Sequence, residues 1–165
     1  MNKRNIGCCL LVSFILSLSC SCNSKPQFKG GDYKSHMSDF ADPIKYNEES
    51  PIVDCYFKNI KYTVVKTDVD NKTVTLDVTV PDFAAILKNT IDNNYNENDT
   101  IDYDIFLNTV KKELEENLSD SSHPTLNKKI VLSIDKDKNG KWKILQSDEF
   151  DDFISESIYK SLEET

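Results

Sequence analysis

The chain has 165 residues, 38% of them hydrophobic and 29% charged, with a formal net charge of −8. That length and balance fit one folded domain of ordinary size and exclude a disordered polyelectrolyte. From Cys20 onward 18 lysines stand against 28 acidic residues, a net charge of −10, which repels nucleic acid and disfavours polyanionic partners generally.

The first residues, MNKRNIGCCLLVSFILSLSCSC, set Lys3 and Arg4 ahead of an apolar run from Ile6 to Leu18. The run is too short for a membrane span, which needs about 20 apolar residues, and falls within the roughly 7–15 of a signal-peptide core. Residues 1–19 are therefore expected to be an export signal. Leu16-Ser17-Leu18-Ser19-Cys20 resembles the lipobox of bacterial lipoproteins, in which a free cysteine thiol takes a diacylglyceryl group before cleavage. Here Ser17 stands where the family has leucine, and Leu18 comes one step late. Cys20 is preferred over Cys22, which has Ser19 and Cys20 upstream and no near aliphatic residue; simple secretion is the alternative. A lysine-to-arginine ratio of nineteen to one and fifteen asparagines match an AT-rich, bacterial-type genome. The resemblance implies palmitate and diacylglycerol on Cys20, and a protein held on the extracytoplasmic face of the cell membrane without spanning it. Each buried methylene of such an anchor contributes about 0.8 kcal/mol.

Residues 20–50 carry the lipidated cysteine and a polar stretch of aperiodic aromatics with Gly30-Gly31, read as a flexible tether. Residues 23–50 would have a root-mean-square reach of about 30 Å; a short helical turn over Asp39 to Tyr46 is the alternative. The domain is expected over 51–165, with the pattern becoming strand-like from Pro51. Within NIKYTVVKTDV, Ile60, Tyr62 and Val64 alternate in one phase and Val65 and Val69 in the other, which predicts a bulge or two-sided burial. Asp70-Asn71 makes a turn. Val74, Leu76, Val78 and Val80 then alternate with polar residues as a half-buried strand.

After Pro81 the period becomes helical. Asp82 is the N-cap of a helix bearing Phe83, Ile86, Leu87 and Ile91. Asp102 caps a second helix with the stripe Tyr103, Phe106, Leu107, Val110, Leu114 and Leu118. SDSSHPT, 119–125, is a loop. Strands follow in KIVLSID, where Ile130, Leu132 and Ile134 alternate, and in KWKIL. Ser147 caps a last helix with Phe150, Phe153, Ile154, Ile158 and Leu162 inward, and Asp148 and Glu149 favourably placed in its first turn. The expected fold is α+β, an antiparallel sheet of two hairpins in the order β-β-α-α-β-β-α covered by amphipathic helices. The lipobox, YTVVKTDVDNKTVTLDVTV, the helix after PDF and the DKNGKWKI hairpin together resemble small bacterial lipoproteins of the cystatin-like or nuclear-transport-factor-2-like superfamily. The resemblance covers about residues 58–150. That superfamily begins with a long helix walling a cone-shaped pocket. No amphipathic helix precedes Pro51, which predicts a plainer domain.

In DKDKNGKWKI, Asp135, Asp137, Asn139 and Gly140 match positions one, three, five and six of a calcium loop. Position twelve is Gln146 instead of a bidentate glutamate, and Lys136, Lys138, Lys141 and Lys143 add positive charge. A hairpin turn explains more residues. A three-residue loop, Lys138-Asn139-Gly140, sets Ile134 opposite Ile144 and Lys136 opposite Trp142, with a positive φ at Gly140. No metal is expected there. The cluster Asp92, Glu97, Asp99, Asp102 and Asp104 lacks ligand spacing and reads as a solvated linker with capping duty. No CxxC pair or zinc spacing occurs, and Cys55 reads as a half-buried free thiol, a bridge to Cys22 being the alternative.

Beyond Cys20 only Gly30, Gly31 and Gly140 occur, too few for a nucleophile elbow or a phosphate-cradling loop. His36 lies in the tether and His123 in a loop. Ser121, His123 and Asp120 are sequence neighbours, a poor basis for a triad. The expectation is a non-catalytic binding or scaffolding module without cofactor, serving an unidentified envelope protein or small ligand, with carboxylate-only catalysis left open. The alternatives are a small-ligand pocket or weak hydrolase, with a cavity lined by Phe83, Trp142 or Tyr103, and an inhibitor of an exported enzyme or toxin.

Overall fold

Val74, Leu76, Val78 and Val80 are all fully buried, and the strand that carries them, β3 (Thr73–Pro81), runs through the middle of the sheet. The computed structural model describes residues 25–47, 49–95, 102–120 and 122–159; the expected export signal, Cys20 and Cys22 lie outside them. The fold is α+β, with a curled five-stranded antiparallel sheet and four helices. Besides β3 the strands are β1 (Gly31–Asp32), β2 (Lys61–Asp68), β4 (Thr125–Lys136) and β5 (Trp142–Leu145), in the spatial order β1-β2-β3-β4-β5. The helices are α1 (Pro51–Asn59), α2 (Phe83–Asn94), α3 (Tyr103–Ser119) and α4 (Asp148–Tyr159).

The two phases of the β2 sequence resolve as a bulge. The register slips between Val64 and Lys66 opposite β3, and the extra residue, Val65, is 53% exposed. Caps form where short acidic side chains precede the helical period. Asp82 accepts from the Ala85 amide at 3.1 Å, and Asp102 from those of Asp104 and Ile105 at 3.0 and 3.1 Å, satisfying donors that have no partner within the helix. Ser147 departs from this pattern. Its carbonyl accepts from the Phe150 and Asp151 amides, but its buried Oγ has no hydrogen-bond partner.

Three further expectations are corrected. Pro51 opens a helix rather than a strand: it occupies the first turn, where its missing N–H costs nothing, and Tyr56 and Phe57 are buried from α1. β4 begins at Thr125 and takes in the end of the expected loop. Leu107, at the right angle for the α3 stripe, is 45% exposed, and its neighbour Ile105 is 64% exposed. Helical period fixes an angle about the axis but not whether a neighbour reaches that level of it. Leu114 and Leu118, nearer the C-terminus, are buried. Leu162 lies outside the described residues.

The largest correction concerns the tether. Gly31 and Asp32 pair with Tyr62 and Lys61, so β1 extends the β2 edge. A 3-10 turn over Lys34–Asp39 follows. Phe40 then bridges in parallel to Ile144, and the Ala41 amide donates to the Ile144 carbonyl at 2.8 Å, which covers the β5 edge. One short segment thus occupies both margins of the curled sheet, where open N–H and C=O groups would otherwise invite pairing with another chain. Tyr33 and Phe40 are buried with Phe57, Phe150 and Tyr62. Gly30 makes this approach possible, since a Cβ there would stand 2.7 Å from the Tyr62 carbonyl oxygen and 2.9 Å from the Thr63 Cα.

Candidate functional site

The β4–β5 hairpin has the register that a three-residue loop requires, with Ile134 opposite Ile144 and Lys136 opposite Trp142. The Gly140 amide donates to the Asp137 carbonyl at 2.9 Å, the Asp137 amide to the Lys141 carbonyl at 2.8 Å, and Gly140 has φ +76°. The Asp137 carboxylate is spent inside the turn, accepting from the Asn139 and Lys141 amides at 2.8 and 2.9 Å. The Lys141 amide is the leading reason its pKa lies below the usual carboxylate range. Asp135 projects elsewhere and pairs with Lys72 at 3.1 Å. Gln146, at the position where calcium loops close, donates instead to the buried Tyr33 hydroxyl at 3.3 Å. The candidate ligands diverge, and among the described residues no group of three or more His, Cys, Asp or Glu could hold a metal ion. Millimolar calcium is expected to leave Trp142 emission and the thermal midpoint unchanged. Gly140→Ala is expected to cost about 1 kcal/mol through its left-handed backbone, with open space around it. A saturable emission change at micromolar calcium would reverse this reading of the turn.

The histidines stand apart from one another. His36 sits in the packed N-terminal segment, with Nδ1 at 3.0 Å from the Asp32 carbonyl oxygen and its ring beside Tyr62. His123 Nδ1 lies 3.0 Å from the Pro124 carbonyl oxygen. The Asp120 carboxylate accepts from the Ser122 amide and hydroxyl at 3.1 and 2.7 Å, and these bonds first, with His123 last, hold its pKa below the usual carboxylate range. Ser121, Glu97 and Asp99 lie outside the described residues. Asp92 forms a surface pair with Lys88 at 2.8 Å, and Asp104 occupies the first turn of α3. Cys55 is a half-buried free thiol on α1.

Phe83 and Trp142 stand at different ends of the sheet, and the side chain of Tyr103 lies outside the described ones. Phe83 follows the Pro81 end of the sheet, where it packs edge-on to Tyr56, whereas Trp142 faces Lys136 at the other end of a twelve-residue strand, about 35 Å away along the chain direction. Trp142 instead belongs to a groove of about 320 Å³ lined by Lys25, Gln27, Phe28, Asp39, Lys141 and Trp142. Lys136 places its ammonium 5.1 Å from the indole centroid, a cation–π contact. Burial first, and Asp39 next, push the Tyr62 phenol pKa far above its ordinary value. Four of the six groove residues come from the segment expected to be a tether. The signal that could have found them is the density of large aromatics, Phe28, Tyr33 and Phe40, which seldom all stay in water.

No protein-family model, curated protein or solved structure matches the chain. Among the described residues no helix is long and apolar enough to cross a membrane.

Proposed function

We propose that the chain is a membrane-anchored lipoprotein of the extracytoplasmic face whose domain is a non-catalytic binding or scaffolding module. The observation that carries the reading is the N-terminal order Lys3-Arg4, apolar Ile6–Leu18, then small residues and Cys20, the charge, length and cleavage chemistry of an export signal ending at a modifiable thiol. The engaged carbonyls at both histidines and the divergent carboxylates of the hairpin support a binding role over catalysis. The net charge of −10 beyond Cys20 favours an envelope protein or small ligand over nucleic acid. A domain of the cystatin-like or nuclear-transport-factor-2-like kind is supported by the curled antiparallel sheet and by a helix ahead of it. That helix, α1, has nine residues, roughly 14 Å of length, short for the wall of a deep pocket.

Labelling cells with a palmitate analogue tests the anchor. The wild-type chain is expected to be acylated and to accumulate as a larger precursor under globomycin, and Cys20→Ala is expected to abolish the label. Labelling lost only in Cys22→Ala would move the modification to Cys22. An unlabelled wild-type chain, indifferent to globomycin, would sink the reading.

A further inference from the structure

We infer that the tip of the β4–β5 hairpin and the Trp142–Phe28 groove form the surface by which this domain lies on anionic lipid headgroups. The inference rests on the lipid anchor proposed above. Lys25 lines the groove, and five residue steps separate it from Cys20. At full extension they span about 17 Å, against the roughly 30 Å reach of a flexible 28-residue tether. An acylated Cys20 must therefore hold this end of the molecule near the headgroups, within about two Debye lengths at physiological salt.

The chemistry of that end suits the position. Lys25, Lys136, Lys138, Lys141 and Lys143 stand on the hairpin and groove beside Asp39, Asp135 and Asp137. The adjoining turn adds Lys66 and Lys72 against Asp68 and Asp70. In a protein of net charge −10 beyond Cys20, this is a surface with an excess of lysine. Lys72 pairs with Asp135 and Lys66 with Asp68, Asp137 is held by the amides of its own turn, and Lys143 donates to the Ser38 carbonyl, so the excess is the difference between seven lysines and five aspartates on this surface. Acidic residues collect instead on α3 and α4, including Asp104, Glu115, Glu116, Asp148, Glu149 and Asp152. A positive end attracts an anionic surface and an acidic remainder is repelled by it, which sets orientation as well as contact. Trp142, in a groove it shares with Phe28, Lys25 and Lys141, is a residue type enriched at membrane–water interfaces.

Trp142 is the single tryptophan of the chain, so its emission reports on this surface alone. The purified, acylated full chain would be incorporated into phosphatidylcholine vesicles with and without phosphatidylglycerol, each carrying a lipid quencher placed near the headgroup. Trp142 quenching is expected in the anionic vesicles. In Lys138→Glu/Lys141→Glu, both exposed turn positions, it is expected to fall to about half or less while the chain still co-sediments with the vesicles. Co-sedimentation without quenching would overturn the inferred surface and leave the anchor standing. Equal quenching in the charge-reversed variant would overturn the role of the lysines. Failure of the chain to co-sediment would remove the anchor and this inference together, and fractionation tells that case from the others.

Discussion

Tyr33→Ala is expected to lower the free energy of unfolding by about 3–5 kcal/mol, the range for truncating a large buried aromatic side chain. A residue in a flexible tether would cost nothing measurable. Tyr33 is 0% exposed, and its ring lies 5.0, 5.8 and 6.4 Å from those of Phe40, Phe150 and Phe57. Its hydroxyl accepts from the Ile44 amide at 3.1 Å and from Gln146, and its own amide donates to the Ile60 carbonyl at 2.8 Å. One residue thus joins the N-terminal segment to the start of β2, to the chain after β5 and to α4. Tyr33→Phe keeps the ring and strands the Ile44 amide, and should cost about 1–2 kcal/mol. Denaturant unfolding followed by circular dichroism measures both. A loss below about 1 kcal/mol for Tyr33→Ala would mean that the segment does not unfold with the sheet.

Above pH 10 the protein is expected to lose stability steeply and to unfold cooperatively before pH 13. Burial pushes the phenols of Tyr33 and Tyr56 up to about 12, and that of Tyr62 higher still. In the unfolded chain all three titrate near 10. Between those values the unfolded state has released protons that the native state keeps, so it binds fewer protons and stability falls as pH rises. The contribution is complete below pH 10 and is lost through 12. Two units correspond to about 3 kcal/mol for each group, and three such groups are comparable with the whole stability of a small domain. Tyr56, bonded to Ser157 and to the Ile154 carbonyl, offers the control, since Tyr56→Phe should make the decline shallower by about a third. Unfolding monitored beside tyrosinate absorbance checks it. Stability unchanged between pH 9 and 12 would refute the shared burial of these rings.

Much of the central structure was legible because period and composition act locally. Alternation in TVTLDVTV, the phase change before Lys66, Asp82 and Asp102 as caps and the glycine at the hairpin bend each depend on backbone geometry within a few residues. The hairpin is the clearest case: face alternation alone chose between two loop lengths, and the chosen register carries Ile134 opposite Ile144. In that turn the Asp137 carboxylate accepts from the Asn139 and Lys141 amides while Asp135 pairs with Lys72.

Local pattern by itself determined two β hairpins and amphipathic helices between and after them. Only the tertiary structure decided the fate of 25–50. Phe28, Tyr33 and Phe40 follow neither a helical nor a strand period, since a 3-10 turn, a two-residue edge pairing and a single bridge impose none. Their burial is set by β2 and β5, edges far away in sequence that a curled sheet brings within reach of one short strap. The same long-range closure decided where the groove lies and which lysines stand beside Trp142.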